Sequence, residues 1–257
     1  MGSDATLPYT TYCEAISREA ARIAEVARAH DLAAPVPCCP GWTLVDVVDH
    51  VGRLQQWFAA MIERRSSQRL PFGEVDFGRP TEPADLPGWL LDRNAGVAEV
   101  LRAADPDAAM WSWGPGGDVR FWARRMLMEF LVHRYDAESA AGELTPIDPA
   151  LAADGVGEFL ANLGAAVVFT PGLANLRGSG QTIGFGVWGT EVDWALRLDP
   201  DSFGLVPAVS DPDATISAET AEALLLLVYG RIGPDDARIK TVGEADLLEK
   251  WFTHSKF

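Results

Sequence analysis

Cysteine is scarce in this chain: three residues in 257, two of them adjacent as Cys38 and Cys39. That number and spacing exclude a disulfide framework and a zinc-knuckle pattern, and fit a reducing, cytoplasmic setting. Basic residues are also few, 21 Lys and Arg against 37 Asp and Glu, for a formal charge of −16. Such a field argues against nucleic-acid phosphates and anionic membrane surfaces as partners, although a local arginine cluster could still hold a small anion. Long apolar runs are missing; residues 221–229 are the longest candidate and fall far short of a membrane span. No basic-then-apolar leader opens the sequence, and it contains neither an internal repeat nor a low-complexity tract. Met1-Gly2-Ser3-Asp4-Ala5-Thr6 fits the loose myristoylation pattern, but nothing basic follows to supply a second anchor, so it reads as chance.

What is present is helix-forming sequence. Residues 9–31 hold no Gly or Pro and carry Ile16, Ala20, Ile23 and Ala27 as an apolar stripe, which predicts a long first helix with Cys13 packed near its start. Residues 35–42 form a rigid loop, with three prolines and one glycine around Cys38, Cys39 and Trp42. Thr43 then opens a second helix running to about Arg65, with Asp46 three residues on as a capping box. Leu44, Val47, Val51, Leu54, Phe58, Met61 and Ile62 form its core face, and His50 sits beside that stripe. Residues 73–87 are broken by Gly and Pro and read as a surface connection, and residues 88–104 as a third helix. In the loop 105–117, Trp111 and Trp113 either line a pocket or fold back on the helix ends. Asp118 is placed to cap a fourth helix, which Gly142 ends.

After Gly142 the texture changes. Residues 148–168 predict one more helix, rich in Ala and Leu. From Gln181 the apolar period becomes two, through Ile183, Phe185 and Val187, then Val192, Trp194, Leu196 and Leu198. Trp188-Gly189-Thr190 between them reads as a hairpin turn. Residues 214–217 and 238–242 suggest short strands, and residues 220–231 and 245–253 suggest helices. The expected architecture is therefore a four-helix bundle over residues 1–145, followed by a linker helix and a small α+β domain over residues 146–257.

The stretch from Phe121 to Ala137 organises the rest. At about 100° per residue, Trp122, Met126, Glu129, His133, Asp136, Ala137 and Ala140 share one face of the fourth helix. Glu129 and His133 stand at i and i+4, so their side chains are roughly 6 Å apart on a mostly apolar face. A carboxylate buried there needs a partner, either a metal ion shared with His133 or a plain Glu–His hydrogen bond. His50, taken alone, is an ordinary core histidine. Together, His50, Glu129 and His133 all face the predicted core, and two imidazoles with one carboxylate are a common ligand set for catalytic zinc with an open fourth position. Asp46 and Asp136, one turn from His50 and His133, could orient those rings or serve only their own helix.

At these residues the chain resembles the mycothiol-dependent maleylpyruvate isomerase family. Pro37-Cys38-Cys39-Pro40-Gly41-Trp42-Thr43 followed by His50 looks like the family's opening signature. Glu129-x-x-x-His133-Arg134-x-Asp136-Ala137-Glu138 looks like its second. Residues 224–231 and Val242-Gly243-Glu244-Ala245 match its C-terminal part more loosely. The resemblance implies a DinB-like metal-binding four-helix bundle joined to a sterol-carrier-like α+β domain. It also implies His50, Glu129 and His133 as ligands of a divalent metal, usually zinc, and Arg231 as an active-site arginine of the second domain. Mycothiol is the implied cofactor thiol and a small electrophile the implied substrate.

The chemistry follows from the donor set. Two neutral imidazoles and one carboxylate leave zinc near +1, so a thiol at the open position would be deprotonated. The thiolate could add to a conjugated cis double bond, permit rotation and leave, which is isomerisation, or stay on the product, which is S-transfer. Cys38 and Cys39, in a proline-fixed loop, are expected to pack rather than react, which leaves an external low-molecular-weight thiol as nucleophile. The competing expectation is a non-catalytic protein that keeps the metal and binds an apolar ligand or lipid in its second domain. A bundle without metal, its His and Glu residues merely hydrogen-bonded, is the third.

Overall fold

The computed structural model describes residues 6–256, so all of the myristoylation-like stretch except Thr6 lies outside the described residues. The chain divides into two compact units, Leu7–Thr145 and the described residues from Pro146 onward.

The first unit is built from α1 (Tyr9–Ala29), α2 (Leu44–Arg64), α3 (Leu86–Ala103) and α4 (Val119–Ala141). α1 packs on α3 and α4, and α2 packs on the same two, so α1 and α2 sit on one diagonal of the bundle. Each helix buries the stripe that its period sets out: Tyr12, Ile16, Ile23 and Ala24 on α1, and Leu44, Val47, Val51, Met61 and Ile62 on α2. α3 starts two residues earlier than its sequence pattern suggested, because Pro87 occupies the first turn, where a missing N–H costs nothing. The connection before it holds two short 3-10 turns, Phe72–Glu74 and Pro83–Asp85.

α4 departs most from a one-sided helix. Besides its apolar residues it buries Arg125, His133, Arg134, Asp136 and Glu138. Asp118 caps its start by accepting from Phe121 N at 2.8 Å, and Gly142 ends it at φ +72. The buried charges are matched. Glu138 accepts from Arg22 Nε at 2.7 Å and Arg134 Nη1 at 2.6 Å, and Arg134 Nε lies 2.6 Å from Glu19. Trp111 and Trp113 fold back on this helix. The Trp111 ring lies 5.7 Å from that of Trp122, whose Nε1 donates to Trp111 O at 2.7 Å, and Trp113 meets Phe121 edge-on.

The second unit begins with α5 (Pro149–Asn162), capped by Asp148. It then forms five strands, β1 (Gln181–Val187), β2 (Trp194–Leu198), β3 (Phe203–Val206), β4 (Ala214–Ala218) and β5 (Ile239–Gly243), with α6 (Ala221–Val228) and α7 (Ala245–His254). The sheet order is β3-β2-β1-β4-β5, with β1 and β4 parallel and every other pair antiparallel. β1 and β2 form the expected hairpin, with Phe185 opposite Trp194. α6 packs on α5 and on β1 and β4, and Phe185 meets Trp251 of α7 at 4.9 Å between ring centres.

In the second unit two elements depart most from the sequence pattern. β3 went unforeseen: it is four residues, half-buried throughout, with a glycine in second place, so it shows no alternation. The helix expected over residues 148–168 stops at Asn162 and continues as a 3-10 turn, Ala165–Val168. The bare Cα of Gly164 sits where an added Cβ would stand 3.4 Å from Phe203 O.

Candidate metal centre

Two helices and one loop build the site. Residues 35–42 close on themselves: Val36 N donates to Trp42 O at 2.9 Å, and Trp42 N donates to Cys39 O at 3.0 Å. Gly41 supplies the turn at φ +88, a conformation that side-chain-bearing residues avoid. α2 then starts at once from its capping box, with Asp46 Oδ2 accepting from Thr43 N at 2.8 Å and from Thr43 Oγ1 at 2.7 Å. This settles the choice left open for Asp46. Its carboxylate fixes the helix start instead of orienting His50.

His50 from α2 meets Glu129 and His133 from α4. One ligand atom from each lies within 4.8 Å of the others. Glu129 Oε2 is 3.6 Å from His50 Nε2 and 3.4 Å from His133 Nε2, and the two imidazole centres are 4.7 Å apart. The cluster is less enclosed than the apolar face implied. Glu129 keeps 25% of its side chain exposed and His50 keeps 34%, so the site opens to solvent, while His133 is buried.

Each of the two α4 residues has a fixed partner. Arg125, one turn earlier and buried, donates to Glu129 Oε1 at 3.0 Å, which leaves Oε2 toward the histidines. Burial opposes ionisation of Glu129, but the Arg125 charge and the hydrogen bonds from His133 and His50 outweigh it and hold the carboxyl well below its usual pKa. Asp136 Oδ2 lies 2.8 Å from His133 Nδ1, so Nε2 is the nitrogen offered to the cluster. Burial lowers the His133 pKa, but Asp136 and Glu129 win and push it up to about 9. Asp136 therefore belongs to the site as the orienting group behind His133.

Four neighbours were not foreseen. Trp42 stacks flat on His133, at 5.6 Å and 8°, and meets His50 edge-on at 5.2 Å. Arg125 showed no signal beyond its i, i+4 relation to Glu129. Cys38 and Cys39 were expected only to pack. Instead both thiols donate to the carboxylate of the fully buried Asp136, at 3.1 and 3.4 Å. The Cys39 thiol, burial and Asp136 together push the Cys38 pKa up. Arg231 belongs to the second unit, just after α6, where Nη1 donates to Tyr229 O at 2.8 Å.

These observations define a protein with a helical unit bearing a His–Glu–His cluster, joined to a mixed α+β unit. The chain belongs to the mycothiol maleylpyruvate isomerase family, an enzyme family: the Mycothiol maleylpyruvate isomerase N-terminal domain matches residues 13–138 and the MDMPI C-terminal domain residues 150–250. Among solved structures it is similar to the mycothiol-dependent maleylpyruvate isomerase, at 14% identity and a TM-score of 0.62 over 93% of this chain and 95% of the other. A histidine-to-alanine mutant of that enzyme matches at 13% identity with the same TM-score and coverage. At such identity these likenesses speak for the fold. No curated protein matches.

Proposed function

We propose that this chain is a divalent-metal-dependent, mycothiol-using isomerase acting on a small electrophile of the maleylpyruvate type, with His50, Glu129 and His133 holding zinc. The carrying observation is the convergence of those three ligand atoms, from two separate helices, within 4.8 Å. Two imidazoles and a carboxylate suit zinc and leave a position open for a further ligand. When bound, such an ion supplies a Lewis acid that favours the thiolate form of a ligating thiol at neutral pH.

The chain's own residues prepare the site. Asp136 fixes the His133 tautomer, and Arg125 directs one Glu129 oxygen away from the cluster. Trp42 covers the two imidazoles and limits water on that side. Cys38 and Cys39 commit their thiols to the Asp136 carboxylate and are not part of the His–Glu–His cluster. This supports an external thiol as the reacting sulfur.

The test is turnover of maleylpyruvate by zinc-loaded protein, with and without mycothiol. An isomerised product with free thiol recovered is the expected result. Product with thiol still attached would make it an S-transferase, and no reaction in either case would favour a binding protein.

Arg231 is the donor we assign to a substrate carboxylate. Arg231→Ala should leave zinc content unchanged and lower turnover of an anionic substrate roughly 10- to 100-fold, as for loss of a charged hydrogen bond. Unchanged kinetics would remove it from the site.

Metal uptake should also be proton-linked. Metal-free His133 holds a proton up to about pH 9, and that proton must leave for Nε2 to ligate. Apparent zinc affinity should therefore rise with pH, by up to about tenfold per unit, and level off above about 9. Calorimetry in buffers of differing ionisation heat would report the released proton, and an affinity that stays flat as pH rises toward about 9 would contradict this.

A further inference from the structure

We propose that Cys38 and Cys39, drawn together by Asp136, form a second site, selective for soft thiophilic centres such as trivalent arsenicals. It shares no ligand with the His50, Glu129 and His133 cluster and does not depend on that cluster holding a metal. The two sulfurs sit against the two oxygens of one carboxylate, Cys38 Sγ 3.1 Å from Oδ1 and Cys39 Sγ 3.4 Å from Oδ2. All three ligand atoms lie within 4.8 Å of one another, and both cysteines are half-exposed, so the pair can be reached from solvent. Asp136 is completely buried, and its Oδ2, which accepts from Cys39, also lies 2.8 Å from His133 Nδ1, which makes it a fixed anchor for the thiols. The turn through Val36 and Trp42 holds the loop in place.

The alternative fate of such a pair is an internal disulfide, and its geometry argues against that. Adjacent residues across a trans peptide keep their Cα atoms about 3.8 Å apart, short of the roughly 4.4–6.8 Å that an unstrained disulfide spans. A larger atom placed between the sulfurs removes the conflict, because each sulfur then bonds to the inserted centre rather than to its neighbour. Soft ligands such as thiols select soft centres. With phenylarsine oxide the step balances without any redox change: two S–H bonds break, two S–As bonds form, and the arsenic-bound oxygen leaves with both protons as water. Asp136 then loses both thiol donors, so occupation of this site alters the group that orients His133.

The experiment is intact-mass titration of wild-type protein with phenylarsine oxide. One phenylarsenic group per chain is expected, surviving excess monothiol and removed by a dithiol. Tryptic mapping of the wild-type adduct should place it on the peptide that carries both Cys38 and Cys39, which needs no variant to fold. Cys38→Ser and Cys39→Ser should each abolish the adduct, and Cys13→Ser should keep it. Zinc-loaded and metal-stripped protein should react with the same stoichiometry. No dithiol-reversible adduct, an adduct on another peptide, one that persists in either single variant, or one that zinc loading blocks would each overturn the proposal.

Discussion

His50→Ala protein is expected to lose its zinc on dialysis against a mild chelator, under conditions where the wild type keeps one ion per chain. α4 contributes both Glu129 and His133, but α2 contributes His50 alone, so this replacement removes the second helix from the site. A structural zinc is worth about 10–16 kcal/mol over four ligands, so one ligand accounts for about 3 kcal/mol, on the order of 100-fold or more in affinity. His30→Ala is the control. His30 Nε2 also lies near a carboxylate, 3.4 Å from Glu143, but no third ligand joins that pair among the described residues. Elemental analysis would decide: full zinc occupancy in His50→Ala refutes the assignment, and loss in both variants would point to a nonspecific cause.

Glu138→Leu should destabilise the helical unit by about 3–5 kcal/mol, the usual cost of breaking a buried ion pair from one side. Glu138 has no exposed side-chain surface and accepts from Arg22, Arg134 and the backbone N–H and hydroxyl of Thr145. Its removal takes a carboxylate partner from two guanidinium groups, Arg22 and Arg134. Arg134 then keeps its contact with Glu19, while Arg22 keeps only the exposed carboxylates Glu25 and Glu143. For a chain of this size the loss corresponds to a melting point lower by roughly 10 °C. Glu25→Ala, which removes an exposed partner of Arg22, should change stability by no more than about 0.5 kcal/mol. Equal melting points for Glu138→Leu and wild type would show that the network contributes nothing net.

The comparison between sequence and structure divides along contact range. The convergence of His50, Glu129 and His133 was legible because helical periodicity turns sequence spacing into a shared face, and two such faces meet in a bundle. The role of Asp136 was left as one of two choices, since a residue three positions beyond a histidine can turn toward it or away. What decided it was the loop of residues 35–42 lying against α4, a contact about 97 residues apart in sequence. The same contact brought Cys38, Cys39 and Trp42 to the site, and no local pattern encodes it. β3 stayed hidden for another reason: its strand identity comes from pairing with β2 and not from alternation in its own four residues.

The flat stacking of Trp42 on His133 gives the site an optical readout. An indole in face-to-face contact with an imidazole loses emission when that imidazole carries a proton, and its spectrum shifts when the ring is locked by a ligand. With nine tryptophans in the chain the change must be taken as a difference between wild type and Trp42→Phe. That difference spectrum is expected to follow zinc loading of the proposed centre in real time without any added dye.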